Sequence, residues 1–143
     1  MAVPSTLHRS LELAGTLPAL MVAQETIRKA TKAGFDSQDQ IWPWNKLHEE
    51  IDELYYAAHS EGHADAVARA ARLEEEFGDL LLAAAKLGYL LKIDTESALR
   101  MALAKFRRRF AAVERQLQAQ GRDLAAMSTA EKEALWRQAK SEA

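Results

Sequence analysis

Apolar residues recur at helical spacing in four long stretches of this chain, and no stretch shows the two-residue alternation of a half-buried strand. The first stripe is Leu20, Ala23, Ile27 and Ala30. Thr16-Leu17-Pro18 opens it, with Thr16 as the expected cap, and Gly34 is its expected stop. From Phe35 to Ile41 the chain is rich in Asp, Ser and Gln and reads as a loop. Pro43 starts a second helix with the stripe Leu47, Ile51, Leu54 and Ala58, ended by Glu61-Gly62-His63. A third is predicted from near Asp65 to about Leu91, with Leu73, Leu80, Ala83, Leu87 and Leu90 facing one way. Asp94-Thr95 precedes the cleanest period in the sequence, Leu99, Leu103, Phe106, Phe110, Val113 and Leu117, which Gly121 ends. Ser128 and Glu131 form a capping box for a short last helix reaching about Lys140.

The pattern predicts an all-α protein, a bundle of four main helices plus a short C-terminal helix, which a second copy can complete. Residues 1–15 show no sustained period and read as an N-terminal extension, leaving 16–143 as a single domain. A chain of 143 residues is long enough for a hydrophobic core of its own.

Composition narrows the functional classes. With 48% apolar residues the chain is neither disordered nor membrane-like. The most apolar run, Leu80 to Leu91, is too short to span a bilayer and contains Lys86, so it reads as a buried core helix. A formal charge of −2 gives no basic character to attract nucleic acid, so neither nucleic acid nor membrane is an expected partner. Cysteine is absent, which excludes disulfides and thiolate metal sites and agrees with a cytoplasmic setting. The four histidines show no ligand spacing, and Trp42 and Trp44, flanking Pro43, read as packing residues at a helix entry.

The acids sit where an amphipathic helix would not put them. Glu76 lies three residues after Leu73 and four before Leu80, inside the apolar stripe, and Asp79 lies on its edge. Glu50 falls between Leu47 and Leu54, with Glu53 one turn further on. At about 100° per residue, an i, i+3 pair is separated by roughly 60°, close enough to share a ligand. Four carboxylates converging inside a bundle lose hydration and repel one another, and a hard divalent cation relieves both penalties. All-oxygen ligation points to Mg2+, with Mn2+ as a substitute, rather than to zinc or copper. The bland alternative is a set of solvated acids, with Lys86 and Arg72 neutralising the third-helix pair.

Glu49-Glu50-Ile51-Asp52-Glu53 followed by Glu75-Glu76-Phe77-Gly78-Asp79 resembles the E-E-x-x-E and E-x-x-D signature of the MazG nucleoside triphosphate pyrophosphohydrolases. Gly34-Phe35-Asp36, Lys105-Phe106-Arg107-Arg108-Arg109-Phe110, and Trp136 with Lys140 are similar to further segments of that family, in the same order. The resemblance runs from about Leu17 to Lys140 and is to the C-terminal domain of the two-domain members. It implies cleavage of nucleoside triphosphates to monophosphate and pyrophosphate, a helical dimer, and Mg2+ ligands at Glu50, Glu53, Glu76 and Asp79. It also implies a catalytic part for Glu49, Glu50 and Glu53, and substrate contacts from Lys105, Arg109, Trp136 and Lys140. One departure is Leu103, where relatives often carry Asn, which loosens any inference about sugar or base.

The residue types suit phosphoryl chemistry in their own right. Lys105 and Arg109 are one turn apart and can face a phosphate together, Arg as a fork and Lys as a point charge. Trp136 and Lys140 share the same spacing, although Trp136 also fits a core or interface position. A di-iron bundle is disfavoured because no Glu stands three residues before any histidine. A narrower pyrophosphohydrolase for deoxyuridine triphosphate or phosphoribosyl-ATP, and a non-catalytic helical interaction module, are the remaining alternatives.

Overall fold

A computed structural model describes residues 17–35, 41–60 and 65–141. The expected extension at 1–15, the Thr16 cap, most of the 35–41 loop and the Glu61-Gly62-His63 stop lie outside the described residues. Among the described residues the structure is all-α: α1 (Ala19–Lys32), α2 (Trp42–His59), α3 (Ala66–Leu90), α4 (Thr95–Gln120) and α5 (Thr129–Ser141), with a 3-10 turn at Leu124–Ala126. None of these helices is long and apolar enough to cross a membrane.

The termini follow local chemistry. Pro18 flanks the start of α1 rather than lying inside its first turn, with its carbonyl accepting from Val22 N–H at 3.0 Å. Gly34, at φ 93°, turns the chain out of α1, so that Phe35 N–H reaches back to Ala30 O at 3.0 Å; Gly121, at φ 61°, does the same after α4. The Asp65 carboxylate caps α3 by accepting from Ala68 N–H at 2.8 Å. The end of α3 breaks the pattern. Lys92, not glycine, takes the left-handed conformation, at φ 59°.

The chain forms two compact units, residues 1–96 and 97–143. In the first, α3 packs against both α1 and α2, the α2 contact being the more extensive. Its buried residues are small, chiefly Ala57, Ala85, Leu87 and Gly88, with Pro43 and one charged group, Glu50. In the second, Ala112, Val113, Leu117, Met127, Leu135 and Ala139 form a contiguous core, against which Leu124 and Trp136 pack.

The apolar stripe of α4 divides in two. Val113 and Leu117 are buried as expected. Leu99, Leu103 and Phe106, expected in the core, are 48%, 45% and 52% exposed in the single chain. Leu81 and Leu82 on α3 are also half exposed, so the Leu80–Leu91 run is not the buried core helix its composition predicts. This much open apolar surface is more than a self-sufficient bundle leaves to water.

Candidate metal centre and its cavity

Glu50, at 5% exposure, is the only charged residue buried among those described. Its position between Leu47 and Leu54 turns it toward α3, where Glu76 and Asp79 lie one turn apart on the facing helix. One carboxylate oxygen from each of Glu50, Glu76 and Asp79 lies within 4.8 Å of the other two. The Glu50 Oε2 is fully buried and without a hydrogen-bond partner among the described residues. An orphaned anionic oxygen at such a place is costly unless a cation meets it. The donor set is all oxygen and hard, and it fits a magnesium-like ion.

Glu53 stands outside that three-carboxylate group. Loss of hydration and then the adjacent Glu50 carboxyl hold its own carboxyl above the ordinary carboxylate range. Glu53 lines a separate cleft with Arg72, Glu75, Glu76 and Asp79. Glu49 is exposed beside it on α2.

Lys46, given no part in the sequence reading, is the nearest cation. Its Nζ lies 2.7 Å from Glu50 Oε1 and 3.3 Å from Glu49 Oε1, and the Glu50 hydrogen bond above all raises its pKa to about 12. Its i, i+3 and i, i+4 spacing to Glu49 and Glu50 is the signal in the sequence that points to it. The bland pairing expected for α3 is half present. Arg72 Nε stands 3.6 Å from Glu76 Oε1, on an exposed side chain. Lys86 instead lies over the Trp42 indole, 4.2 Å from the ring centroid, and 6.0 Å from that of Phe35.

A cavity of about 450 Å³ links these groups within the first unit. Glu50, Asp79 and Lys46 line it together with Trp42, Phe35 and Lys86. Trp42, expected only to pack, is 39% exposed at its wall.

The other four expected site residues belong to the second unit. Lys105 is exposed on α4, and Arg109, one turn on, is half buried with its Nε lacking a partner among the described residues. Trp136 is half buried on α5 against the unit's core, its ring centroid 5.3 Å from that of Phe106. Lys140 is exposed on the same helix.

A profile of the MazG nucleotide pyrophosphohydrolase domain matches residues 42–113. Over 134 residues the chain is 39% identical to a nucleoside triphosphate pyrophosphohydrolase of Escherichia coli K12, a stretch covering 93% of this chain and 49% of that protein. A nucleoside triphosphate pyrophosphohydrolase/pyrophosphatase MazG of Thermotoga maritima is 34% identical over 129 residues, 90% of this chain and 47% of its own. The chain thus spans about half the length of these relatives. A Bacillus subtilis protein, the uncharacterized YabN, is 43% identical over 68 residues, 48% of this chain and 14% of its own.

Proposed function

The chain belongs to the MazG nucleotide pyrophosphohydrolase family, and from that premise we propose that it hydrolyses nucleoside triphosphates to monophosphate and pyrophosphate. The observation that carries this reading is the buried, unpartnered Glu50 Oε2 at the point where Glu76 and Asp79 converge. The residues that would hold the cation, Mg2+ with Mn2+ as a substitute, are Glu50, Glu76 and Asp79, with Glu53 joining when substrate brings further charge. A bound divalent cation neutralises phosphate oxygens and lowers the pKa of coordinated water.

The chain's own groups supply the rest. Glu49, exposed and adjacent to the buried acid, is suited to orient the attacking water and accept its proton. Water oxygen bonds to phosphorus, the anhydride between the α- and β-phosphates breaks, and pyrophosphate leaves with the bonding electrons. Glu53 holds its carboxyl beside Glu50 and shapes the acidic wall. Lys105 and Arg109 contribute positive charge to the triphosphate, and Trp136 and Lys140 further substrate contacts. Residues 16–143 act as one catalytic domain in the cytoplasm. The protein works as a homodimer, which the exposed Leu99, Leu103 and Phe106 support.

A panel of nucleoside triphosphates with magnesium, scored for pyrophosphate and monophosphate, tests the reading. Turnover that Glu50→Ala or Asp79→Ala reduces by at least a hundredfold is the expected result. Undiminished turnover in both variants would remove these acids from the chemistry, and no turnover in the parent protein would end the proposal.

A further inference from the structure

The cavity between α1, α2 and α3 has two chemically different ends. At about 1.5 Å per residue, Trp42 and Glu50 stand about two turns apart on α2, as do Lys86 and Asp79 on α3. Glu50 and Asp79 therefore mark one end, Phe35, Trp42 and Lys86 the other, and Lys46 lies between them. Its volume of about 450 Å³ lies within the range of roughly 300–1,000 Å³ usual for small-molecule sites. An aromatic end joined to a cation-binding end matches a ligand with a flat ring at one terminus and polyphosphate at the other.

The aromatic end is held in a polar manner. Lys86 ammonium lies over the face of the Trp42 indole rather than against a carboxylate, and it has no salt-bridge partner among the described residues. That face is where an incoming base would stack, and stacking of a base on an aromatic side chain is worth about tenfold or more in affinity. The flexible four-carbon stem of Lys86 lets the ammonium move from the ring face to the edge of a stacked base.

Lysine donates hydrogen bonds and accepts none. The Thr26 and Thr31 hydroxyls on the same cavity wall can do either, so they do not discriminate. At the base edge remote from the sugar, guanine presents O6 and uracil or thymine O4, whereas adenine and cytosine present amino groups there. An ammonium beside that edge satisfies the oxo bases and leaves the amino bases with a donor facing a donor.

We propose that this cavity is the nucleobase subsite, that Trp42 stacks on the base, and that Lys86 selects nucleotides bearing an oxo group at the edge remote from the sugar. The assignment rests on the pyrophosphohydrolase reading above and deepens it by naming the substrate class.

The test compares GTP, UTP, ATP and CTP with magnesium, using the parent protein, Lys86→Met, Trp42→Ala and Trp42→Phe. Equilibrium binding of α,β-imido analogues of GTP and ATP is measured in parallel. The parent protein is expected to favour GTP and UTP at least tenfold in kcat/KM, with the same order in analogue binding. Lys86→Met brings the ratio to within about threefold. Trp42→Ala raises KM about tenfold on all four with the loss in KM rather than kcat, and Trp42→Phe recovers most of it. A parent preference for ATP or CTP, or a preference that Lys86→Met leaves in place, overturns the selectivity. A Trp42→Ala loss confined to kcat, or no loss, overturns the stacking. If nucleotides are turned over but neither residue matters, the subsite alone falls; if none is turned over or bound, the functional reading falls with it.

Discussion

The side-chain carboxamide of Gln24 on α1 binds the backbone of Thr95, accepting its N–H at 3.1 Å, while donating to the Ile93 carbonyl at 2.8 Å. One side chain therefore satisfies both polarities of the turn after α3, where Lys92 occupies a conformation that glycine would adopt freely. Gln24→Ala is expected to destabilise the protein by about 1–2 kcal/mol, chiefly because the Thr95 N–H loses its partner in a part-buried place, while the exposed Ile93 carbonyl can turn to water. Denaturant unfolding measures it, and an unchanged midpoint would show that water replaces the carboxamide.

The same joint predicts a coupled pair. A Cβ at Gly88 would come within 2.4 Å of Thr95 Cγ2 and 3.3 Å of Gln24 Nε2. Gly88→Ala is therefore expected to cost about 1–3 kcal/mol despite the better helix propensity of alanine. Thr95→Ser removes the offending methyl, so the double variant is expected to recover part of that loss in a double-mutant cycle.

Magnesium is expected to raise the thermal midpoint, by the equivalent of about 2.7 kcal/mol at a hundredfold excess over Kd. Glu50→Ala and Asp79→Ala are expected to lose that increment. A rise of equal size in both would show that the ion binds elsewhere.

Acid sensitivity is expected from the capping box of α5. Glu131 accepts from the Ser128 N–H and hydroxyl, both at 2.9 Å, and also faces Arg122. The backbone N–H first, then Arg122 and the hydroxyl, depress its pKa to about 2. The folded value lies below the ordinary 4.5, so its stabilisation is complete above about pH 4.5 and is lost as pH falls toward 2. Melting curves of the parent and Glu131→Gln are expected to differ near neutrality and converge in acid. A constant difference would assign the effect to packing.

Leu103 offers a test of assembly. It is 45% exposed on α4, between Leu99 and Phe106. Sedimentation is expected to give twice the chain mass, and Leu103→Glu to shift the protein toward monomer. A monomeric parent protein would leave these side chains without their proposed cover.

Local signals were legible where a single turn contains both partners. The Ser128–Glu131 box reads directly from sequence, as do the start of α3 near Asp65 and the stops at Gly34 and Gly121, whereas the capping bond of Asp65 is seen in the structure. The convergence of Glu50, Glu76 and Asp79 was legible from acids placed within apolar stripes. Lys92 was not, because its turn is stabilised by Gln24, 68 positions earlier in the chain. In the sequence Trp42 reads as packing and Lys86 as a surface counter-charge, and nothing there joins them, because their meeting depends on how α2 lies against α3. Glu53 shares the spacing of Glu50 yet falls outside the three-oxygen cluster, since helical phase places a side chain only to within a broad sector.

The Lys46 ammonium stands 2.7 Å from the Glu50 carboxylate. A built-in countercharge offsets part of the repulsion among the clustered acids, so the fold does not rest on a divalent ion alone for their neutralisation. Chelation is then expected to silence the protein while leaving its helices standing, and restoring the ion to bring it back without a refolding step.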